Sequence, residues 1–268
     1  MAARLKGKVA VVIGAGQSPG TGMGNGRATA LLFAREGAKV LAVDRDPASA
    51  AETVKLIRGE GGTAEAFEAD VTREDQLKQC IADCVARWGR LDVLHNNVGI
   101  SVSGGDASPT EITEAAFDRI MTVNLRGVVM ACKHALPVMR EQKSGAIVNI
   151  SSMAAIDNYP WVTYKASKAA MIAYTRQLAI LNAPYGIRAN VILPGLMDTP
   201  MAVDTRARAG GRTREEVAAE RDAKVPLRQK QGTAWDIAYA ALYLASDEAG
   251  FVTGAVLPVD GGASCKVG

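Results

Sequence analysis

Short apolar runs alternate with longer stretches of helical spacing along the whole chain, and this alternation restricts the fold more than any other feature. The runs lie near 8–13, 39–44, 64–69, 91–95, 145–150, 187–193 and 255–259, each five to seven residues long. Between them, apolar residues recur every three to four positions near 26–36, 47–60, 73–88, 111–141, 161–183 and 233–246, the spacing of helices that cover a sheet. Strand–helix alternation implies parallel strands joined by right-handed crossovers. "VAVVI", "AIVNI" and "IRANVIL" are rich in Val and Ile, as strands buried on both faces are. The expectation is an α/β chain, a single doubly wound Rossmann-type domain with a seven-stranded parallel sheet. No linker, repeat or shift of composition divides residues 1–268, and one irregular polar stretch, 196–231, reads as a flap.

Composition excludes several function classes. Hydrophobic residues make up 48% of the chain, enough for a sizeable core, and 31 Lys and Arg face 28 Asp and Glu with no basic block. That balance gives no reason to expect nucleic acid as a partner. No apolar run reaches the roughly 18 residues of a membrane span. The N-terminal stretch runs into the first strand without a signal-peptide pattern, so the chain reads as cytoplasmic with no membrane partner. Cys80, Cys84, Cys132 and Cys265 show no C-x-x-C spacing, and His95 and His134 lack neighbours for a zinc site or a catalytic triad. No metal is expected.

Between the first strand and the first helix lies "GAGQSPGTGMGNG", residues 14–26, with six glycines in thirteen positions. Its position argues against a linker. Amides of the following helix point out of this turn, and glycines let a backbone approach a pyrophosphate. Two registers are open: Gly14, Gly24 and Gly26, which lead into "RATALLFAREGAKV", or Gly16, Gly20 and Gly22. Gly14, Gln17, Gly24 and Gly26 are the candidate cofactor contacts, with Gly16 and Ser18 dependent on the path of the loop. Eighteen residues beyond Gly26, Asp44 ends the second strand, where a carboxylate accepts hydrogen bonds from both adenosine ribose hydroxyls and repels a 2′-phosphate. NAD is the expected cofactor. Arg45 follows, either to counter that preference or as a solvated side chain.

Tyr164 and Lys168 in "YKASK" are four residues apart on a predicted helix, their Cβ atoms about 5–6 Å apart on one face. This spacing also suits a solvated helix face. The helix follows "AIVNISS", a buried strand ending in Ser151 and Ser152, and ligands in such folds gather beyond the carboxyl ends of the strands. Hydride transfer from an alcohol carbon needs a base for the hydroxyl proton, and free Tyr, with a pKa of about 10, is scarcely ionised at neutral pH. A neighbouring Lys168 ammonium favours the phenolate, and a serine hydroxyl holds the substrate oxygen. Tyr159 and Trp161 in "MAAIDNYPW" form either an aromatic wall for a hydrophobic or cyclic substrate or simple loop packing. Arg206, Arg208, Arg212 and Arg214 in the flap read as solvated charges interleaved with Glu215 and Glu216, or as a site for an acidic group.

Taken together these motifs resemble the short-chain dehydrogenase/reductase family, whose first turn usually reads T-G-x-x-x-G-x-G. Here Ile13 replaces the Thr, and six extra residues separate Gly14 from Gly24–Asn25–Gly26. The resemblance runs nearly the whole chain. It places Asp70 and Val71 of "ADVT" against adenine, and "NNVG", with Asn97 and Gly99, after the fourth strand. In "PGLMDTPM" it makes Pro194 and Gly195 cofactor contacts and sets Thr199 on the nicotinamide amide. Taken alone, Asp70 also reads as a helix cap, and Asn96 and Asn97 as turn residues. By the same resemblance Lys168 bonds the nicotinamide ribose, Asn124 of "TVNLRG" supports a proton-relaying water, and the long helices assemble a homotetramer.

The catalytic serine lies thirteen residues before the Tyr in many family members, which gives Ser151, whereas "SS" strand ends use the second serine, Ser152; Ser152 is preferred. The reading is an NAD-dependent dehydrogenase with a secondary alcohol or ketone as substrate. An NADPH-dependent 3-oxoacyl thioester reductase and a dinucleotide-binding regulator without turnover are its rivals.

Overall fold

The computed structural model describes residues 3–266, so positions 1–2 and 267–268 of the expected single unit lie outside the described residues. Strands β1 (Val9–Ile13), β2 (Lys39–Asp44), β3 (Thr63–Glu68), β4 (Val93–Asn96), β5 (Gly145–Ile150) and β6 (Ile187–Pro194) alternate with helices. These are α1 (Asn25–Arg35), α2 (Pro47–Gly59), α3 (Glu74–Trp88), α4 (Glu114–Met121), α5 (Gly127–Gln142) and α6 (Val162–Asn182). The flap region holds β7 (Met197–Asp198), α7 (Thr205–Gly210), α8 (Arg214–Asp222) and β8 (Gly232–Thr233), followed by α9 (Ala234–Ala245) and β9 (Val256–Val259).

The main sheet is parallel with seven strands in the order β3-β2-β1-β4-β5-β6-β9. All five residues of β1 are buried, as its run of Val, Ala and Ile requires of a central strand with helices on both faces. One apolar layer gathers under α1, α2 and α9 around Phe33, Ile57 and Leu242, the other under α3, α5 and α6 around Leu77, Met139 and Met171. Strand order reverses between β1 and β4, and ligands of open α/β sheets bind at such a reversal.

The pairing register sets what meets there. Ile13 is level with Val43 on one side and Asn96 on the other, and Asn149 is level with Asn96 and Val191. The glycine loop, Asp44, Asn97, Ser151 and Ser152 therefore leave the sheet along one edge.

Two expectations need correction. The helix expected over 111–141 begins at Glu114, because the Thr113 hydroxyl accepts from the Ala116 amide and caps it there. It is also interrupted by a wide π turn at Thr122–Arg126. The stretch 196–231, expected to be irregular, folds into α7 and α8 over a small apolar cluster of Val203, Ala207 and Val217, tied to the body by pairing of β7 with β8. Its apolar residues are too few and too widely spaced to announce those helices, which depend on the cluster and on the Thr213–Glu216 capping box.

Candidate active site

At the β1–β4 reversal the glycine stretch turns into α1, with Gly24 at the N-cap and Gly14 at φ +83°. A Cβ on Gly26 would lie 1.8 Å from the Gly14 carbonyl oxygen, so the strand end and the helix start approach more closely than any side chain permits. The loop thus runs from Gly14 to Gly24 and Gly26, and Gly16, Gly20 and Gly22 belong to its excursion. Gln17 braces that excursion: its Oε1 accepts from the Gly24 amide at 3.1 Å, and its backbone amide donates to Ser49 Oγ at 2.8 Å.

Asp44 Oδ2 accepts from the Gly16 amide at 2.9 Å, and its Oδ1 accepts from the Asp46 amide at 3.1 Å. The carboxylate is thereby fixed beside the glycine loop, while Arg45 is exposed. Asp70 does not cap α3. Its Oδ1 accepts from the Thr72 amide in a local turn, and its own amide donates to Gln76 Oε1. Val71, buried beside it, lies so close to α5 that a Cβ on Gly127 would be 2.9 Å from it.

The two asparagines after β4 diverge. Asn96 turns inward to Asn149 Oδ1 at 2.8 Å, whereas Asn97 donates across the reversal to the Gly14 carbonyl at 3.1 Å. At Gly99 a Cβ would sit 3.1 Å from Lys168 Nζ, so the absence of a side chain lets the lysine through.

The hydroxyls of the two serines after β5 have different surroundings. Ser151 Oγ is buried and donates to the Lys168 carbonyl at 2.7 Å; Ser152 Oγ accepts from the Ala154 amide at 3.1 Å and neighbours the Tyr164 phenol. Lys168 Nζ donates to the Ile150 carbonyl at 2.7 Å and lies 5.7 Å from the centre of the Tyr164 ring. Here the electrostatics depart from expectation. Burial pushes the phenol up to about 12 and draws the lysine down to about 7, because a buried site disfavours both charged forms. The neighbours that favour the phenolate are the Ser152 hydroxyl and the charged Arg206.

The π turn gives Asn124 its reach. Its Oδ1 accepts from the Ile100 amide at 2.8 Å, and its Nδ2 donates to the Ile100 carbonyl at 2.9 Å and to Ser167 Oγ at 3.0 Å. Asn124 therefore joins the loop after β4 to α6, the helix that carries Tyr164 and Lys168.

Around the phenol, Tyr159 stacks edge-on with Trp161 at 5.4 Å and lies 5.5 Å from the Tyr164 ring, its hydroxyl 3.1 Å from Ser101 Oγ. Pro194 ends β6 opposite Val259, and a Cβ on Gly195 would lie 2.6 Å from Asp260 Cα. Thr199, also buried, accepts from the Ala202 amide at 3.3 Å.

Two contributors escaped the sequence reading. Asp106 caps α6, its carboxylate accepting from the Thr163 and Tyr164 amides at 3.0 and 2.9 Å. Asp106 lies more than fifty residues upstream, so no local pattern marks it. Arg206, for which the sequence left solvated charge or a site for an acidic group open, is half-buried and acts on the Tyr164 phenol; Arg212 pairs with Glu220, and Arg214 with Asp198 and Asp204.

The residues present fit a dinucleotide. Gly14 and Gly26 let the end of β1 and the start of α1 approach too closely for any side chain, which makes the tight turn a pyrophosphate needs, and the Asp44 carboxylate stands beside that turn. Bound nicotinamide would supply the hydride donor or acceptor, with the glycine loop and Asp44 facing the adenosine half and Thr199 and Lys168 the nicotinamide half.

Comparison with known proteins agrees with this arrangement. A family model described as enoyl-(acyl carrier protein) reductase matches residues 20–264. The chain is 38% identical to the Thermotoga maritima 3-oxoacyl-[acyl-carrier-protein] reductase FabG over 97% of its own length and 98% of the relative's. It is 39% identical to 2-(S)-hydroxypropyl-CoM dehydrogenase 3 of Xanthobacter autotrophicus, over 98% of each chain. Among solved structures, a Burkholderia xenovorans protein described as a short-chain dehydrogenase/reductase superposes with a TM-score of 0.89 at 44% identity, covering 99% of both chains. Sheet order, a glycine turn at its reversal, a Ser-Tyr-Lys cluster at its carboxyl edge and full-length likeness lead to one assignment: the chain belongs to the short-chain dehydrogenase/reductase family of oxidoreductases.

Proposed function

We propose that the protein is an NAD-dependent dehydrogenase that interconverts a secondary alcohol and its ketone, the substrate being hydrophobic or cyclic. The observation that carries this reading is the gathering of Ser152, Tyr164 and Lys168 at the carboxyl edge of the sheet, with Lys168 buried, its Nζ on the Ile150 carbonyl and 5.7 Å from the centre of the Tyr164 ring. Ser152 holds the substrate oxygen. The Tyr164 hydroxyl takes the alcohol proton in oxidation and returns it in reduction. Lys168 bonds the nicotinamide ribose beside the phenol. Asn124, by fixing the loop after β4 against α6, positions Lys168 and supports the water that relays the proton. Tyr159 and Trp161 supply an aromatic wall for an apolar substrate.

NAD is favoured because Asp44 is held by two amides beside the loop that takes the pyrophosphate, where a 2′-phosphate meets a fixed negative charge. A second reading, an NADPH-dependent 3-oxoacyl thioester reductase, draws on the likeness to FabG; the Asp44 carboxylate opposes it. In the first reading the enzyme is cytoplasmic and works as a homotetramer.

The test is steady-state turnover of a panel of cyclic and linear secondary alcohols and ketones with both dinucleotides, on the wild type and on Tyr164→Phe. The expected result is activity with NAD(H), lost in the variant by about a hundredfold or more while NADH affinity is kept. Undiminished turnover in Tyr164→Phe would refute the mechanism. Turnover confined to NADPH and 3-oxoacyl thioesters would select the second reading.

A further inference from the structure

The six extra residues of the glycine loop, 18–23, leave the body of the protein and cross to the flap. Three contacts join them there. The Thr21 amide donates to Asp204 Oδ1 at 3.0 Å, and Arg208 Nη2 donates to the Pro19 carbonyl at 3.1 Å. Between them Gly20, at φ +148°, lies flat against Asp204, so that a Cβ there would be 2.5 Å from Asp204 Cγ. Only glycine combines that backbone with that approach.

On its other side Asp204 Oδ2 accepts from Arg214 Nε at 3.3 Å, and Arg214 also pairs with Asp198. Asp204 is buried, 8% exposed, so its charge is matched by an amide and a guanidinium rather than by water. At the root of the loop Gln17 is bonded to Ser49 and Gly24, and Met23 packs against the core. The insertion is therefore a braced strap between the glycine turn and the segment that follows Thr199.

We propose that this strap is a latch on the bound dinucleotide, with Asp204 as the positioning residue that docks the flap on residues 19–21. The inference rests on the dinucleotide-binding reading above. That reading gives the glycine loop one half of the cofactor and Thr199, five residues before Asp204, the other. Two segments that grip one ligand and are tied directly to each other release it only when the tie opens. Slow cofactor release and a flap held shut independently of substrate are the consequences.

The test uses three variants: Asp204→Ala, deletion of 18–23, and the two combined. The deletion joins Gln17 to Gly24 and restores G-x-x-x-G-x-G from Gly14, Gly24 and Gly26. Two quantities are read: the NADH dissociation rate by stopped-flow fluorescence, and tryptic cleavage of the flap in cofactor-free protein. Each single change should speed dissociation by about tenfold and speed flap cleavage, and the combined variant should do no more than either, because both open one tie. Wild-type rates in both singles, or effects that multiply, would overturn the latch. If Asp204→Ala or the deletion fails to fold, Gly20→Ala gives the same reading, and an unchanged rate there counts against it. Asp204→Asn, which keeps an acceptor for the Thr21 amide, should restore part of the slow release. A wild type that binds neither NADH nor NADPH would overturn the cofactor role together with the reading beneath it. Loss of alcohol turnover with slow NADH release intact would overturn only the substrate assignment.

Discussion

The carboxylate of Asp106 accepts a hydrogen bond from the Tyr164 backbone amide at 2.9 Å, so the residue proposed as acid/base sits in a helical turn capped from the loop after β4. The same carboxylate takes the Thr163 amide, matching two of the four amides that a helix start leaves unpaired. Asp106→Ala should destabilise the protein by about 1–2 kcal/mol in denaturant unfolding. It should also lower kcat by about ten- to a hundredfold by shifting Tyr164, with NADH affinity nearly kept. A kcat equal to that of the wild type would show that the cap does not position the phenol.

The neighbouring serines separate a structural role from a chemical one. Ser152→Ala, which removes the hydroxyl that neighbours the Tyr164 phenol, should cut kcat by about a hundredfold or more with little change in stability. Ser151→Ala removes a buried bond to the Lys168 carbonyl and should lower stability by about 1 kcal/mol, with kcat nearly intact. The reverse pattern would move the proposed catalytic role to Ser151.

Asp44 holds part of the loop and, in the proposed function, carries the cofactor preference. In Asp44→Ala the Gly16 and Asp46 amides lose their acceptor, and kcat/KM for NAD should fall by about ten- to a hundredfold. The ratio of kcat/KM for NAD to that for NADP should shift toward NADP. An unchanged ratio would show that the carboxylate does not read the ribose.

Lys168 is a cost to the protein without cofactor. Burial draws its pKa in the folded state down to about 7, against an ordinary 10.5 in the unfolded chain. Below pH 7 both states hold the proton and the folded state bears the full penalty. As pH rises from about 7 toward 10.5 the unfolded state binds more protons, so the penalty is relieved. Lys168→Met should therefore raise the stability of the cofactor-free protein near pH 7 by a few kcal/mol, as an order of magnitude, while abolishing turnover. That gain should shrink as pH approaches 10. Chemical unfolding of both proteins across pH 7–10 reads this directly, and a constant or growing gap would contradict it.

The periodicity of the chain marked the seven main strands to within about two residues, and most of the helices between them as closely, the helix expected over 111–141 excepted, because the central strands are buried on both faces and most of the helices cover the sheet with an apolar face. Gly14, Gly26, Asp44, Tyr164 and Lys168 could be singled out as candidates for a related reason. Position at a strand end and spacing on one helix are local properties. Other features depend on chain segments far apart in sequence. Asp106 reaches Tyr164 across fifty-eight residues, and Thr21 reaches Asp204 across 183. The π turn that lets Asn124 reach Ile100 and Ser167 has no periodic mark, and the helices of the flap rest on a cluster of three buried side chains. Whether Lys168 is a full ammonium or a half-titrated amine was also beyond the sequence, since desolvation is set by everything packed around the group. The sequence alone thus determined the parallel sheet and the residue types that follow its strand ends. Only the tertiary structure decided which backbone groups the two serines bond, how each charge is desolvated and where the inserted glycines go, because those depend on contacts between segments that share no local pattern.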